Sequence, residues 1–407
     1  MKQRINKTER IHSLDSLRAI MMLLGLVLHS ALTYNVVNHG KAWTLKDPES
    51  TSIATDSIVF LVHFFRMPIF FLVAGFFGAM LFYERNPIKM IKNRISRIAY
   101  PFIVFLFILW PTIIFTFGYT KAVFLGDTYP FKEATESLSS TSDFLPKTTF
   151  HLWFLYYLLL ITFATFFLAL LLKNSKKITN RITNSFNWLI QEPILRILFF
   201  SGILFLLYLS LGTSMVEVSV YLTPDLNTFV FYFFFYLIGW ILFKSKHLLN
   251  TFMKYDWISL ILAISIATIQ GLITQNWDSE TMMSEYLNSE LIMFSNAFIV
   301  WLFTFGITGL FIRYRSKHSK IMRYISDSSY WVYLIHLPLT AIIPALIWKF
   351  QFPAFVKFII VLSLSTLICF LTYHYLVRNT FIGTFLNGKK YPRNIKKKPV
   401  ANNVYKT

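Results

Sequence analysis

Two side chains that could carry out acid–base chemistry share one face of the first apolar segment. Arg18 and His29 are eleven residues apart, so on a helix they differ by ~20° in azimuth and ~16 Å in depth. Asp15 can pair with Arg18 from three residues away, and Gly25 leaves space one turn before His29. An interfacial arginine and a core histidine satisfied by a neighbour explain the spacing equally well. No carboxylate lies well inside an apolar segment, so proton transfer there falls to histidine, a suitable base near neutral pH.

The second apolar segment, "LVHFFRMPIFFLVAGFFGAML", contains a second pair of polar side chains. His63 and Arg66 share one helical face. Arg66 lies too deep to reach an interface easily, and we predict that it lies at the depth of His29. A buried guanidinium keeps its charge, so it must meet a carboxylate, carbonyl groups, a water-filled cavity or an anionic ligand.

Three further stretches contain candidate residues. Arg94 and Arg97 in "RISRIAYP" are three residues apart and could hold a phosphorylated ligand, although membrane anchoring explains them equally well. His151 in "HLWFLYYLL" sits where an interfacial aromatic belt is common. His336 in "SYWVYLIHLPL" lies deeper than an interface requires, with Tyr333 one turn before it.

The sequence favours histidine and arginine chemistry over a metal centre. His29, His63 and His336 lie in three different apolar segments, without a carboxylate companion or the i, i+4 pair of a helical zinc site. The single cysteine, Cys369, gives neither a cysteine cluster nor an internal disulfide. We therefore predict no metal ion, and the GxSxG, HExxH, P-loop and dinucleotide fingerprints are absent.

The elements that position these residues are membrane helices. The chain has 407 residues, of which 55% are hydrophobic and 14% charged, and its mean hydropathy is +0.54. This composition indicates an all-α, polytopic integral membrane protein. Ten segments are long enough to cross ~30 Å of hydrocarbon. They lie at about 17–37, 57–83, 98–118, 151–172, 194–212, 227–243, 256–275, 291–312, 328–348 and 353–377.

Basic residues in the loops predict the orientation. The net charge of +20 could suggest a nucleic-acid partner, but 29 of the 39 basic residues fall in alternate segments between the apolar runs. We therefore interpret them as topology signals. We expect membrane lipids as partners of the protein and no nucleic-acid partner. Both termini are predicted to be cytoplasmic. The predicted organisation is a cytoplasmic segment at 1–16, a transmembrane domain at 17–377 and a basic cytoplasmic tail at 378–407.

Several motifs together resemble a known family. Arg18, ten residues and then His29, introduced by "SLDSLRAI", resembles the Arg-x10-His signature of the membrane acyltransferase-3 family. "FRMPIFFLVAGFF", "RISRIAYP", "HLWFL" and "YWVYLIHLPL" follow in that family's order, and the resemblance covers about residues 10 to 378. "HFFRMPIFF" and "WTLKD" look most like the branch associated with succinylation of osmoregulated periplasmic glucans. Ala74 stands where many relatives have serine, which argues against a nucleophilic serine there.

The resemblance implies a membrane-embedded O-acyltransferase of the bacterial inner membrane. It would move an acyl group, succinyl or acetyl, from a cytoplasmic acyl-CoA to hydroxyl groups of a periplasmic or cell-surface glucan or other polysaccharide. Acyl-CoA would be a donor substrate, and no permanently bound cofactor is expected. The main alternative is an exporter or flippase for a glycan or lipid-linked intermediate. The lack of internal repeats and of acidic relay residues argues against that alternative.

Within this resemblance, His29 would be the general base that deprotonates the acceptor hydroxyl. Arg66 would stabilise the oxyanion or pair with a succinyl carboxylate. The remaining candidates are His63 and His336 for orienting the base or acceptor, Arg18, Arg94 and Arg97 for the CoA phosphates, and Asp15, Tyr333 and His151 as supporting residues. A covalent acyl-enzyme on His29 or on a tyrosine stays open.

Overall fold

The computed structural model describes residues 11–275 and 289–392. The structure is 80% helical and has no strand in these ranges. Ten helical stretches within them are long and apolar enough to cross a membrane. The predicted all-α polytopic fold with ten spans is therefore confirmed. The orientation of the termini stays a prediction, and residues 1–10 and 393–407 of the predicted terminal segments lie outside the described residues.

Fourteen α-helices follow one another along the described chain, and most of them are long. A π-helical segment, Ile95–Ala99, joins the third to the fourth, so that these two form a single span. The helices are α1 (His12–Leu32), α2 (Ile53–Glu84), α3 (Pro87–Arg94), α4 (Tyr100–Leu125), α5 (Pro130–Glu136), α6 (Trp153–Leu172), α7 (Lys176–Gln191), α8 (Pro193–Leu211), α9 (Leu226–Lys244), α10 (Asp256–Gln275), α11 (Glu290–Arg315), α12 (Lys320–Leu346), α13 (Ala354–Thr372) and α14 (Phe381–Asn387).

Local sequence signals set several helix ends. The Asp225 carboxylate accepts a hydrogen bond of 2.7 Å from the backbone N–H of Thr228 and thereby caps the start of α9. Gly126 and Gly212 follow α4 and α8 with φ angles of 75° and 66°. Glycine adopts this left-handed conformation without steric cost, so both helices stop there.

The two ends of the helix bundle carry different loops. We call the end at which α1 begins the basic end. There, the rings of His12 and His318 lie 5.3 Å apart, and Lys246 pairs with Glu84 at 2.8 Å. The other end, which we call the loop end, carries the loops 33–52 and 213–225 and the long connection 126–149, which includes α5. Two of these loops meet where the N–H of Thr149 donates to the Val220 carbonyl at 2.7 Å.

The first helix ends earlier than predicted. It stops at Leu32 rather than near residue 37, because loop 33–52 supplies hydrogen bonds that replace the next helical turn. The carbonyl of Thr33 accepts from the N–H of Asp47 at 2.8 Å, and the carbonyl of Tyr34 accepts from the N–H of Ser52 at 2.9 Å. The loop therefore folds across the end of α1, close to His29.

The crossing of α2 and α9 fixes the helix that carries Arg66. A Cβ atom on Gly75 would collide with the carbonyl oxygen of Tyr236, and one on Gly239 would collide with the carbonyl oxygen of Leu72. The two backbones therefore touch, a packing that only small residues allow. The stacked rings of Phe71 and Tyr232, 4.5 Å apart, continue the contact.

We expect Gly239→Ala to destabilise the protein by about 1–3 kcal/mol, because the added methyl group forces the two backbones apart. The measurement is the unfolding midpoint of the purified protein in detergent. Gly202→Ala in α8 is the matched control, since its Cβ would meet nothing within 4 Å. A midpoint for Gly239→Ala equal to that of the control would contradict the close crossing.

Candidate functional site

Five of the predicted site residues line one cavity. They are His29 on α1, Arg66 on α2, His151 just before α6, and Tyr333 and His336 on α12. The remaining lining is mostly apolar or sulfur-containing: Met21, Met22, Gly25, Met67, Phe70, Trp153 and Phe154. A mostly apolar lining with a few convergent polar groups is typical of a ligand site.

A chain of hydrogen bonds sets the protonation of His29 and His336, whose rings are nearly coplanar with centroids 5.0 Å apart. Nδ1 of His336 lies 2.7 Å from the carbonyl oxygen of Tyr333, and a carbonyl can only accept. Nδ1 of His336 therefore carries its proton, and Nε2 of the neutral ring is an acceptor. Nδ1 of His29 donates to that Nε2 at 2.8 Å. These hydrogen bonds leave Nε2 of His29 with a lone pair, as a base requires.

His151 joins the start of α6 to α12. Its Nε2 donates to the carbonyl oxygen of Leu334 at 3.0 Å, and its own carbonyl accepts from the Tyr333 hydroxyl at 2.6 Å. The ring meets His336 edge-on, with centroids 5.2 Å apart. Its buried Nδ1 has no hydrogen-bond partner among the described residues. His151 and Tyr333 therefore hold His336 in place.

Arg66 places an incompletely paired guanidinium beside the two histidines. Its Nε donates to Sδ of Met67 at 3.4 Å, but its buried Nη1 has no hydrogen-bond partner within the described ranges. A Cβ on Gly25 would lie 3.3 Å from this Nη1 and 3.8 Å from Nε2 of His336. The missing side chain at Gly25 thus lets both groups approach α1. A buried cation without a partner is costly, so the site favours an anion or a developing oxyanion.

His63 does not line the cavity. It is exposed on α2, and its Nδ1 donates to the carbonyl oxygen of Val59 at 2.8 Å. In loop 33–52, burial lowers the pKa of His39, although Asp56 opposes this effect.

Arg18, Asp15 and Arg94 lie towards the basic end, away from the cavity lining. Arg18 pairs with Asp15 at 3.4 Å, and its guanidinium lies 5.1 Å from the ring centroid of Phe77. Arg94 interacts electrostatically with Arg18, and its buried Nε and Nη2 have no hydrogen-bond partner in the described part of the chain. Two neighbouring guanidiniums near one carboxylate leave excess positive charge at this end.

Arg94 and Arg97 do not face a common ligand. Arg94 ends α3, whereas Arg97 lies within the π-helical segment Ile95–Ala99, and the wider turn of this segment breaks the spacing that would place residues three apart on one face. Nη1 of Arg97 donates to the carbonyl oxygens of Thr384 and Phe385 at 2.5 and 2.7 Å. Arg97 thus holds α14 against the bundle.

The sequence reasoning missed Trp43 and the pair Asp47–Lys357. The Trp43 ring lies 5.5 Å from that of His29 at an interplanar angle of 10°. Lys357 and Asp47 form a buried ion pair at 2.8 Å. The only available signals were the "WTLKD" motif and a lysine at a helix edge, and neither has a periodicity that points to the site.

The part of the chain that matches known proteins includes the whole cavity. Residues 11–374 match the family described as "Acyltransferase domain", which includes every lining residue. Glucans biosynthesis protein C of Escherichia coli (strain K12) is 24% identical over 344 residues, or 82% of this chain and 82% of that protein. Glucans biosynthesis protein C of Escherichia coli O157:H7 is 25% identical over the same length. No solved structure matches the chain.

We expect Arg97→Met to release residues 378–392, because it removes charge-assisted hydrogen bonds to two α14 carbonyls. Such bonds contribute ~1.5–3 kcal/mol each, which corresponds to at least about tenfold faster amide exchange in that segment. Hydrogen–deuterium exchange in nanodiscs measures this effect. Arg94→Met is the matched control and should leave exchange of the segment unchanged. Equal exchange in the two variants would refute the structural role of Arg97.

Proposed function

The chain belongs to the acyltransferase family whose domain matches residues 11–374, and from that membership we propose that it is a membrane O-acyltransferase with His29 as its general base. The observation that carries the proposal is the hydrogen-bond chain through Tyr333 and His336, which leaves the Nε2 lone pair of His29 free. A hydroxyl group needs such a base to attack a thioester. The cavity that His29 lines is also lined by Arg66, whose guanidinium is incompletely hydrogen-bonded.

The proposed reaction is a direct transfer. Nε2 of His29 takes the proton of an acceptor hydroxyl, and the hydroxyl oxygen attacks the thioester carbon. Negative charge develops on the carbonyl oxygen, where Nη1 of Arg66 can donate a hydrogen bond. When the intermediate collapses, the carbon–sulfur bond breaks and the departing sulfur takes the proton from His29. One ester forms, one thioester is consumed, and the base is restored.

His336 is the proposed positioning residue for this base. As His29 gains its second proton, its Nδ1–H···Nε2 bond to His336 becomes charge-assisted and therefore stronger. The Tyr333 carbonyl holds His336 in the accepting tautomer throughout. A neutral imidazole thus performs the orienting task that a carboxylate performs in many hydrolases.

We propose that acyl-CoA enters from the basic end. Arg18 and Arg94 provide excess positive charge there for the donor phosphates, whereas Arg97 is bound to α14. Arg18, Met22, Gly25 and His29 follow one another at helical spacing on α1, so the acyl arm would run along this face. If the acyl group is succinyl, its carboxylate would pair with Arg66.

We propose a glucan hydroxyl as the acceptor, reaching the site from the loop end. Support comes from the relatives, which are named for glucan biosynthesis. The alternate basic loops favour an inner-membrane location with both termini in the cytoplasm, which makes the loop end periplasmic. A site between the two ends would let a cytoplasmic donor meet a periplasmic acceptor.

We expect His29→Ala to lower acyl transfer by about 10²–10⁴-fold, the usual contribution of a general base. The measurement follows radiolabel from succinyl-CoA or acetyl-CoA to glucan with the purified protein in nanodiscs. His374→Ala is the control, since His374 bonds to Tyr324 and lies outside the cavity lining. Near-parental turnover of His29→Ala would eliminate His29 as the base. Glycan transport without any acyl transfer by the parent would favour an exporter.

The two proposed roles of Arg66 predict different substrate dependence. If Arg66 pairs with a succinyl carboxylate, Arg66→Gln lowers kcat/KM for succinyl-CoA at least about tenfold more than for acetyl-CoA, since a charged hydrogen bond contributes ~1.5–3 kcal/mol. If it stabilises only the oxyanion, both donors lose the same factor. Parental kcat/KM values for both donors would exclude both roles.

A further inference from the structure

A fully buried ion pair anchors loop 33–52 to the bundle. Nζ of Lys357, near the start of α13, lies 2.8 Å from Oδ2 of Asp47, and their side chains are 1% and 2% exposed. Oδ1 of the same carboxylate accepts hydrogen bonds from the backbone N–H groups of Glu49 and Ser50 at 3.0 and 3.2 Å. Both carboxylate oxygens therefore have partners. Lys357 balances the charge of Asp47, and the two backbone hydrogen bonds hold the loop in position.

Stability alone gives little reason for this pair. Removing two charges from water costs several kcal/mol per ion, and apolar residues of similar shape are often equally stable. A lysine near a helix end can also extend its amine to the membrane surface at small cost. The pair does, however, restrict Asp47 and the neighbouring residues of the loop to one defined conformation.

The residue that this arrangement places is Trp43, four positions before Asp47. Its side chain is buried, and its Nε1 donates to Oγ1 of Thr33 at 3.0 Å. The indole lies nearly parallel to the His29 ring, with centroids 5.5 Å apart. It also meets Phe117 of α4 edge-on at 5.0 Å. Trp43 thus fills the space between His29 and α4 on the side of the loop end.

We propose that Trp43 is a positioning residue for His29 that also excludes water from the site, and that the Asp47–Lys357 pair holds it there. This inference rests on the proposed acyl transfer. A base that activates a hydroxyl group activates water equally well. Water would give its proton to His29 and attack the thioester carbon, the carbon–sulfur bond would break, and the sulfur would take the proton. The products would be a free acid and a thiol, so the indole selects transfer over hydrolysis.

The test measures both reactions with the full-length protein in nanodiscs, using succinyl-CoA or acetyl-CoA with and without glucan. Trp43→Ala and Lys357→Met should lower transfer at least tenfold and raise the ratio of hydrolysis to transfer at least tenfold. Trp43→Phe and Lys357→Arg, which keep a ring or a charge, should retain most of the parental ratio. Lys246→Met is the matched control, because Lys246 also pairs at 2.8 Å but is 49% exposed.

A purely structural role would lower transfer and hydrolysis together, and this result in Trp43→Ala would overturn the water-excluding role. The holding role has a readout without catalysis, namely hydrogen–deuterium exchange of residues 33–52. Exchange should be at least tenfold faster in Lys357→Met than in Lys246→Met, and equal exchange would overturn that role. A parent that moves no acyl group would refute the proposed function instead, and the exchange measurement would then decide the holding role alone.

Discussion

The hydrogen bond between His29 and His336 joins two residues that are 307 positions apart in the sequence, and the site is built around it. A neutral imidazole has one donor and one acceptor, so the Tyr333 carbonyl at one end of the chain sets the direction of every bond that follows. In a low-dielectric interior an unpaired polar atom is expensive, which makes this direction strict. The position of α12 against α1 therefore determines which nitrogen of His29 can act as a base.

Buried cations in this protein fall into two groups that burial alone does not separate. Arg196 is 1% exposed, and its Nη1 donates to the carbonyls of Ile190 and Thr251. Lys357 has a carboxylate partner. Arg66, by contrast, donates to the sulfur of Met67 and to no carbonyl or carboxylate of the described residues, and its buried Nη1 has no hydrogen-bond partner there. The partners of Arg196 and Lys357 help to hold the fold together, whereas the guanidinium of Arg66 can still bind a ligand.

How far the sequence predicts the site depends on whether a contact is local. Ten spans follow from hydropathy, and the face shared by Arg18 and His29 follows from the geometry of one helix. The end of α1 could not be predicted, because it depends on hydrogen bonds from a loop. The divergence of Arg97 from Arg94 depends on a π-helical turn that has no periodic signature. Trp43 could not be assigned to the site from the sequence, because only tertiary packing brings its ring to His29.

The ion pair between Lys357 and Asp47 also constrains the order of biogenesis. The two residues are 310 positions apart, so at ~5–20 residues per second Asp47 emerges roughly 15–60 s before its partner is synthesised. Until the tenth span inserts, the carboxylate has no buried counter-charge and must stay hydrated. Loop 33–52 can therefore gain its buried ionic anchor only after α13 has been synthesised, which makes this anchor one of the last long-range contacts of the bundle to form.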